Sequence, residues 1–127
     1  MRQAKHISQE KESNLTEELQ KLKERDYLAL SLDLLKKGEL RLLHGDISGL
    51  HYFDMAIKLA PSSAEMFYHQ GLALFEYGSE QGKEKELSLA SKRFKTATTL
   101  DQNNFPAWHA WGNTCLLYTS DAADDSL

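Results

Sequence analysis

Hydrophobic residues recur every three or four positions along most of the chain, and this spacing predicts helices. Leu15, Leu19 and Leu22 form one such stripe. The denser leucines of residues 28–43 predict a long helix that is mostly buried. Asn14 to Glu17 has the spacing of a capping box, which predicts a helix start there, after a frayed polar segment.

Glycine, proline and short polar stretches divide the remaining helices. Residues 45–46 are Gly-Asp, which predicts the end of one helix and the cap of the next. Pro61 ends the second helix, and Ser62 and Glu65 have the spacing of another capping box. Residues 78–86 contain two glycines and alternating charges, which predicts an exposed loop.

Small residues and bulky apolar residues stand at matching offsets in two successive helix pairs, and a third pair begins in the same way. Small residues let two helices approach closely, and the large residues fill the remaining space. We expect this repeat-packing set to hold the fold together; its members are Gly49, Phe53, Ala56, Pro61, Phe67, Gly71, Leu74, Ala90, Phe94, Ala97, Trp108, Trp111 and Gly112.

This arrangement resembles the tetratricopeptide repeat (TPR), a helix pair of about 34 residues, over residues 30–114. The match requires an insertion after Gly78, and Lys37 and Arg41 stand where the family prefers apolar residues. The resemblance implies an all-α fold, in which antiparallel helix-turn-helix hairpins stack as a short right-handed superhelix, an α-solenoid. An ordinary helical bundle with alanines at its tight contacts is the alternative.

The pattern predicts three segments. Residues 1–26 form a polar segment with an amphipathic helix, and residues 27–114 form a TPR domain of two repeats plus the first helix of a third. Residues 115–125 resemble the translation of a transposase-type sequencing adapter. That resemblance implies that residues 115–127 are a non-native tail which replaces the true continuation and truncates the third repeat.

Composition narrows the class of protein. Charged residues make up 27% of the chain and apolar residues 41%, which is typical of a soluble globular protein. The sequence contains neither an apolar run as long as a membrane helix nor a signal peptide, so we expect a cytoplasmic protein without membrane contact. Three of the acidic residues that contribute to the net charge of −4 belong to the tail, so the net charge identifies no partner.

Motifs for chemistry are not found in the sequence. Phosphate-binding glycine loops and the His-Glu-x-x-His zinc motif are missing, and the five histidines do not share metal-ligand spacing. Aromatic and basic residues are not clustered as on a nucleic-acid surface. We therefore expect no enzyme activity, metal, cofactor or nucleic-acid partner.

The TPR resemblance implies a concave groove, lined by the first helix of each repeat, that binds an extended peptide or a partner helix. We expect Tyr68, Leu72 and Phe75 to supply its apolar anchor, and His109 and Asn113 to hydrogen-bond the ligand backbone. Alternatively, Leu72 and Phe75 only pack between repeats. The candidate groove residues are Glu65, Tyr68, Leu72, Phe75, His109 and Asn113.

The expected function is that of a protein-interaction scaffold. The alternatives are a chaperone of the type III secretion kind and a regulatory arm of a larger enzyme. Some members of the family bind acidic chaperone C-termini through a carboxylate clamp of Lys, Arg and Asn. Only Asn113 matches that clamp, so we predict that such binding is absent. Trp108 and Trp111 would leave an apolar end that promotes self-association.

Overall fold

The computed structural model describes the backbone of residues 2–125 and the side chains of residues 14–116. Residues 2–125 contain no strand, which confirms the predicted all-α class. None of the helices, as far as they are described, contains a stretch long and apolar enough to span a membrane. The helices are α1 (Arg2–Leu43), α2 (Gly49–Leu59), α3 (Ala64–Gln81), α4 (Glu84–Leu100) and α5 (Phe105–Asp125).

The helices pack mainly as pairs that are consecutive in the chain. α1 packs against α2 and α3 packs against α4, while α1 also lies beside α3 and α5 packs chiefly on α4. Two clusters of buried side chains connect them. One contains Ala56, Met66 and Ala97, and the other contains Phe53 and Phe94. The core therefore runs from α1 to α5 without a break.

Each of the two helix pairs closes around a phenylalanine ring that lies on a glycine. A Cβ atom added to Gly38 would lie 2.6 Å from the ring of Phe53, and one added to Gly71 would lie 2.5 Å from the ring of Phe94. Both rings are only 1% exposed. A glycine inside a helix costs about 1 kcal/mol relative to alanine, and here it provides the room that the ring occupies.

The first helix is longer than the sequence pattern predicted. Because α1 begins at Arg2, the predicted frayed start and the predicted cap at Asn14 and Glu17 are both wrong. This segment has no glycine or proline before Gly38 and is rich in good helix formers, which outweigh the local capping signal. Leu15 and Leu19 are more than half exposed, so the apolar stripe of this part lacks a tertiary neighbour.

The loop predicted for residues 78–86 is also wrong. α3 continues to Gln81 and α4 begins at Glu84, so the additional residues lengthen both helices instead of forming a loop. Gly82 ends α3 with a φ of 64°, the left-handed conformation in which glycine has no steric penalty. The turn between α3 and α4 is therefore short.

Gly78, predicted to begin the loop of residues 78–86, has a packing role instead. It lies inside α3, where an added Cβ atom would be 2.8 Å from Leu87 Cγ and 3.0 Å from the Leu87 backbone nitrogen. Gly45, by contrast, follows α1 with a φ of 78° and has no atom near its Cβ position. Gly78 thus permits close helix packing, whereas Gly45 permits a turn.

We expect Gly78→Ala to lower the free energy of unfolding by about 1 kcal/mol, because overpacking against the Leu87 backbone exceeds the gain in helix propensity. Gly112→Ala is the matched control. Gly112 lies in α5 with no atom within 4 Å of its Cβ position, so alanine there should raise the free energy of unfolding by up to about 1 kcal/mol. Urea unfolding followed by circular dichroism measures both changes. Shifts in the same direction would contradict the packing role of Gly78.

A polar side chain caps α3, one residue away from the predicted position, whereas α2 has no side-chain cap. Ser63, not Ser62, caps α3, since its Oγ accepts the Met66 backbone N–H at 3.2 Å. The predicted cap of α2 at Asp46 is wrong, because Ser48 precedes the helix and Asp46 accepts the Ser48 N–H at 3.0 Å in the turn before it. Hydrogen bonds from Ser48, and then from Arg41, lower the pKa of the Asp46 carboxyl. At the other end of α2, Pro61 follows its last residue closely, as predicted.

The helical pattern of α4 predicts that Arg93 faces solvent and that six residues face inward: Leu87, Leu89, Ala90, Phe94, Ala97 and Leu100. Two of these predictions are wrong. Leu100 is 42% exposed. Arg93, expected to face solvent, is partly buried, and its Nε donates to Gln70 Oε1 at 3.0 Å. The predicted inward residues Leu87, Ala90, Phe94 and Ala97 are buried. The helical period therefore identified the buried face of α4, whereas contacts with α3 determine the exposure of residues at the edges of that face.

Candidate functional site

A groove of about 490 Å³ lies between the C-terminal end of α1 and the outer face of α3. Leu42, at its base, is buried and belongs to the core. The groove is lined by Lys36, Glu39, Leu40, Leu42 and Leu43 from α1, and by His69, Leu72, Ala73, Glu76, Tyr77 and Glu80 from α3. It is therefore a surface that two neighbouring helices build together.

Large apolar side chains of the groove remain accessible. Leu40 and Leu43 are more than half exposed, and Leu72 opposite them is 37% exposed. They lie outside the buried face of each helix, since one residue turns an α-helix by about 100° and two residues by about 200°. Three leucines around one concave surface offer apolar area that a ligand can cover.

Acidic side chains dominate the charge of the groove. Glu39, Glu76 and Glu80 contribute three carboxylates, against the ammonium of Lys36 and the imidazole of His69. Burial raises the pKa of the Glu39 carboxyl, and His69 and Lys36 partly oppose this. Loss of hydration thus disfavours the ionised form of Glu39, and a further cation nearby would stabilise it.

The structure places only some of the predicted groove residues at the groove. Leu72 lines the groove, and Glu65 is exposed beside it, with its Oε1 3.9 Å from His69 Nε2. Tyr68 and Phe75 are partly buried and pack against the core, with the Tyr68 ring centroid 6.1 Å from that of Phe94. Their contacts are thus those of packing residues.

His109 and Asn113 lie apart from this groove, on α5. Both are exposed, and His109 Nε2 is 3.3 Å from Asn113 Nδ2, so the two side chains can hydrogen-bond each other. Neither is among the residues that line the groove. The structure therefore does not bring them together with Leu72.

The structure buries most members of the repeat-packing set and leaves others exposed. Pro61, Trp108 and Gly112 are exposed, and Trp111 is partly buried, with its indole N–H donating to Ser91 Oγ at 3.0 Å. Trp108 donates instead to the Gln102 carbonyl at 3.0 Å. The buried members are Gly49, Phe53, Ala56, Phe67, Gly71, Leu74, Ala90, Phe94 and Ala97.

The α1 side of the groove was missed by the sequence reasoning, although a signal for it exists. Lys36, Glu39, Leu40 and Leu43 stand at the same offsets from Gly38 as His69, Leu72, Ala73 and Glu76 stand from Gly71. Once Gly38 is aligned with Gly71, the groove positions of α3 identify their counterparts on α1. The predicted groove residues lie only on α3 and α5.

In the part of the chain whose side chains are described, no three His, Cys, Asp or Glu residues are grouped so that they could bind a metal ion. No protein-family model, curated protein or solved structure matches the chain.

Proposed function

We propose that this chain is a protein-interaction scaffold which binds an amphipathic helix or an extended peptide of a partner protein in the groove between α1 and α3. The observation that carries the proposal is the set of accessible leucines, Leu40, Leu43 and Leu72, around one groove of about 490 Å³. Concave surfaces of this kind accept apolar side chains spaced along a helix or strand.

The proposal includes a TPR-like architecture, in which antiparallel helix pairs stack as a short right-handed superhelix. The repeated contact of a glycine with a phenylalanine, Gly38 with Phe53 and Gly71 with Phe94, supports this arrangement. So does the position of α1 beside α3. In such a stack the first helix of each pair lines the concave side, and the groove is built from α1 and α3, the first helices of the two pairs.

The groove favours a ligand that is both apolar and basic. Apolar contact supplies most of the affinity, at about 25 cal/mol per Å² of area removed from water. Lysine or arginine side chains of the ligand would lie near Glu39, Glu76 and Glu80, where each exposed pair contributes at most about 1 kcal/mol. Charge thus determines which ligands are preferred, whereas apolar contact with the leucines supplies most of the binding free energy.

A titration tests this function with two helical peptides that share one leucine face and differ in having lysines or glutamates beside it. We expect the lysine peptide to bind more tightly. Leu72→Ala should weaken its binding about tenfold, because the lost apolar contact is worth about 1.4 kcal/mol. Leu100→Ala is the matched control, since Leu100 is similarly exposed, at 42%, and lies outside the groove. Calorimetry measures both affinities.

The pH dependence provides a second measure of the same binding. The raised pKa of Glu39 means that its carboxyl ionises at a higher pH than usual in the free protein. Binding of the lysine peptide should therefore strengthen as the pH rises through that range, and Glu39→Gln should reduce this dependence.

Equal losses of affinity in Leu72→Ala and Leu100→Ala, or tighter binding of the glutamate peptide, would refute the groove as the site.

A further inference from the structure

A second apolar stripe runs along α1, on the side that its own chain leaves uncovered. Its positions are reached from Leu15 by alternating steps of four and three residues that end at Leu43, and we name them the α1 seam. Six of the nine seam residues are leucine or alanine, and all nine are exposed. Alternating steps of four and three are the heptad spacing at which two helices pack in a coiled coil.

The α1 seam and the buried side of α1 do not overlap. In residues 31–43 the buried side chains include Leu34, Leu35 and Leu42, and no buried residue belongs to the seam. The buried residues occupy the three heptad positions that lie farthest from the seam. α1 can therefore pack on α2 and α3 with one side and on a further helix with the other.

The leucines of the α1 seam stand in two groups that can cover each other. Leu19 and Leu22 lie in the outer part of α1, and Leu40 and Leu43 lie near its end, on the wall of the groove. When two α1 helices pair in antiparallel fashion with Leu19 opposite Leu43 of the second copy, Leu22 lies opposite Leu40. Because a two-fold axis repeats each contact, both groups are covered in both copies.

The charged residues that interrupt the α1 seam are complementary in the same register. Asp26 lies opposite Lys36 of the second copy, so opposite charges meet twice per pair of helices. Asp33 lies opposite Ala29, whose small side chain leaves the carboxylate access to water. Polar residues at seam positions fix the register and orientation of coiled coils.

The residues beside the α1 seam contribute one attractive and one repulsive contact. Arg25 lies opposite Glu39 of the second copy, and it supplies the cation that would stabilise the ionised form of this partly buried carboxyl. Lys23 lies opposite Lys37, and solvent weakens their repulsion because both are exposed.

Other arrangements of the two helices lose these matches. A parallel pair would place Asp26 against Asp26 and Lys36 against Lys36. In the antiparallel pair, a shift by one heptad places Leu19 against Lys36 in one direction and Leu43 against Asp26 in the other. Charge and apolar contact therefore favour the same register.

We propose that α1 pairs with α1 of a second copy as an antiparallel two-stranded coiled coil, with its midpoint at the level of Ser31. In a single copy the outer part of α1 is stabilised by helix propensity alone, and the pairing gives it a neighbour. The inference rests on the proposed function, because the outer part of one α1 covers Leu40 and Leu43 at the groove of the other copy when no partner protein is bound.

Exchange of the charges at the seam tests the pairing. We expect sedimentation equilibrium of the full chain to show a reversible equilibrium between monomer and dimer. Asp26→Lys and Lys36→Asp should each weaken the dimer about tenfold, because each places like charges opposite each other. The double variant Asp26→Lys/Lys36→Asp should restore the dimer. Both side chains are exposed in the single chain, and circular dichroism checks that the fold is retained.

Leucine variants separate this proposal from the proposed function. Leu19→Ala should weaken the dimer about tenfold and leave binding of the lysine peptide at least as tight. Leu72→Ala, which weakens binding of that peptide, should leave the dimer unchanged, because Leu72 lies on α3 outside the seam. Leu100→Ala is the matched control, and it should change neither equilibrium.

Disulfide cross-linking tests the antiparallel orientation. Leu22→Cys and Leu40→Cys are introduced into separate chains that also carry Cys115→Ser. We expect a cross-linked dimer in the mixture of the two chains and none in either chain alone, since equal positions of the two copies lie about 27 Å apart along the axis.

Four results would overturn the proposal. The first is a chain that sediments as a monomer at every concentration while the lysine peptide binds, which would leave the groove to a partner protein alone. The second is a double charge variant that dimerises no better than the single ones, and the third is a cross-link within either cysteine variant alone. The fourth is a dimer that Leu19→Ala leaves intact and Trp108→Ala abolishes, because it would assign self-association to α5.

Discussion

Phe94→Ala is expected to lower the free energy of unfolding by about 3–5 kcal/mol. The ring is almost completely buried, contacts the position of Gly71 and belongs to the cluster that joins α3 and α4. Its removal loses apolar contact and leaves a cavity, which Gly71 cannot fill because it has no side chain. Urea unfolding followed by circular dichroism measures the loss.

Two further variants identify the cause of that loss. Phe105→Ala removes the same atoms from a side chain that is 71% exposed, and it should change the free energy of unfolding by less than about 0.5 kcal/mol. Gly71→Ala should destabilise the natural chain but stabilise the Phe94→Ala chain, where the ring no longer opposes a Cβ atom. An equal effect of Gly71→Ala in both chains would show that the contact is unimportant.

Gln70→Leu is expected to lower the free energy of unfolding by about 2–3 kcal/mol. Gln70 is fully buried and connects three helices: its Nε2 donates to the Phe53 carbonyl at 3.1 Å, and its Oε1 accepts from Arg93 Nε at 3.0 Å. Leucine leaves both partners without these bonds. Burial lowers the pKa of Arg93, with Asp54 opposing it, so loss of the Gln70 acceptor is costly for the partly buried guanidinium. Thermal unfolding in parallel with urea unfolding measures the change.

The double variant Gln70→Leu/Arg93→Met is the control for that prediction. Replacement of both members of a buried polar pair by apolar residues costs less than removal of one. We therefore expect the double variant to be more stable than the sum of the single effects predicts, by about 1 kcal/mol. Strictly additive losses would mean that the hydrogen bond between Gln70 and Arg93 contributes nothing.

The helix pairs and their central contacts could be predicted because their signals are local and periodic. A small residue, a phenylalanine and an alanine at fixed offsets place Phe53 and Phe94 on one side of their helices, and the structure buries both. Gly38 makes the corresponding close contact in the first pair. The ring of Phe53 is found there.

Other features depended on neighbours that the sequence does not show. Gly78 looks like a loop residue, because glycine serves turns and close contacts alike, and only the position of Leu87 separates the two roles. Arg93 looked solvated beside two lysines, because its acceptor Gln70 belongs to another helix. At Asn14 the capping signal competed with strong helix formers on both sides, and the helix formers prevailed.

Only the α3 side of the candidate groove could be predicted from the sequence, and that only in part. Leu72 follows from the position that it holds after Gly71, and the structure places it in the groove. Tyr68 and Phe75 are predicted for the same surface, but both are partly buried and pack against the core instead. Leu40 and Leu43 could have been found only by aligning α1 with α3, since the side of a helix that stays accessible is decided by its neighbours.

The unequal burial of α1 has a consequence for how the protein loses order. At 42 residues and 1.5 Å of rise per residue, this helix is about 63 Å long. Every side chain from residue 14 to residue 30 is exposed, whereas Leu34, Leu35 and Leu42 are anchored in the core. Backbone amides of the outer part are thus protected by helix propensity alone, while those near the core open only when the whole domain does. One continuous helix therefore combines two levels of resistance to hydrogen exchange.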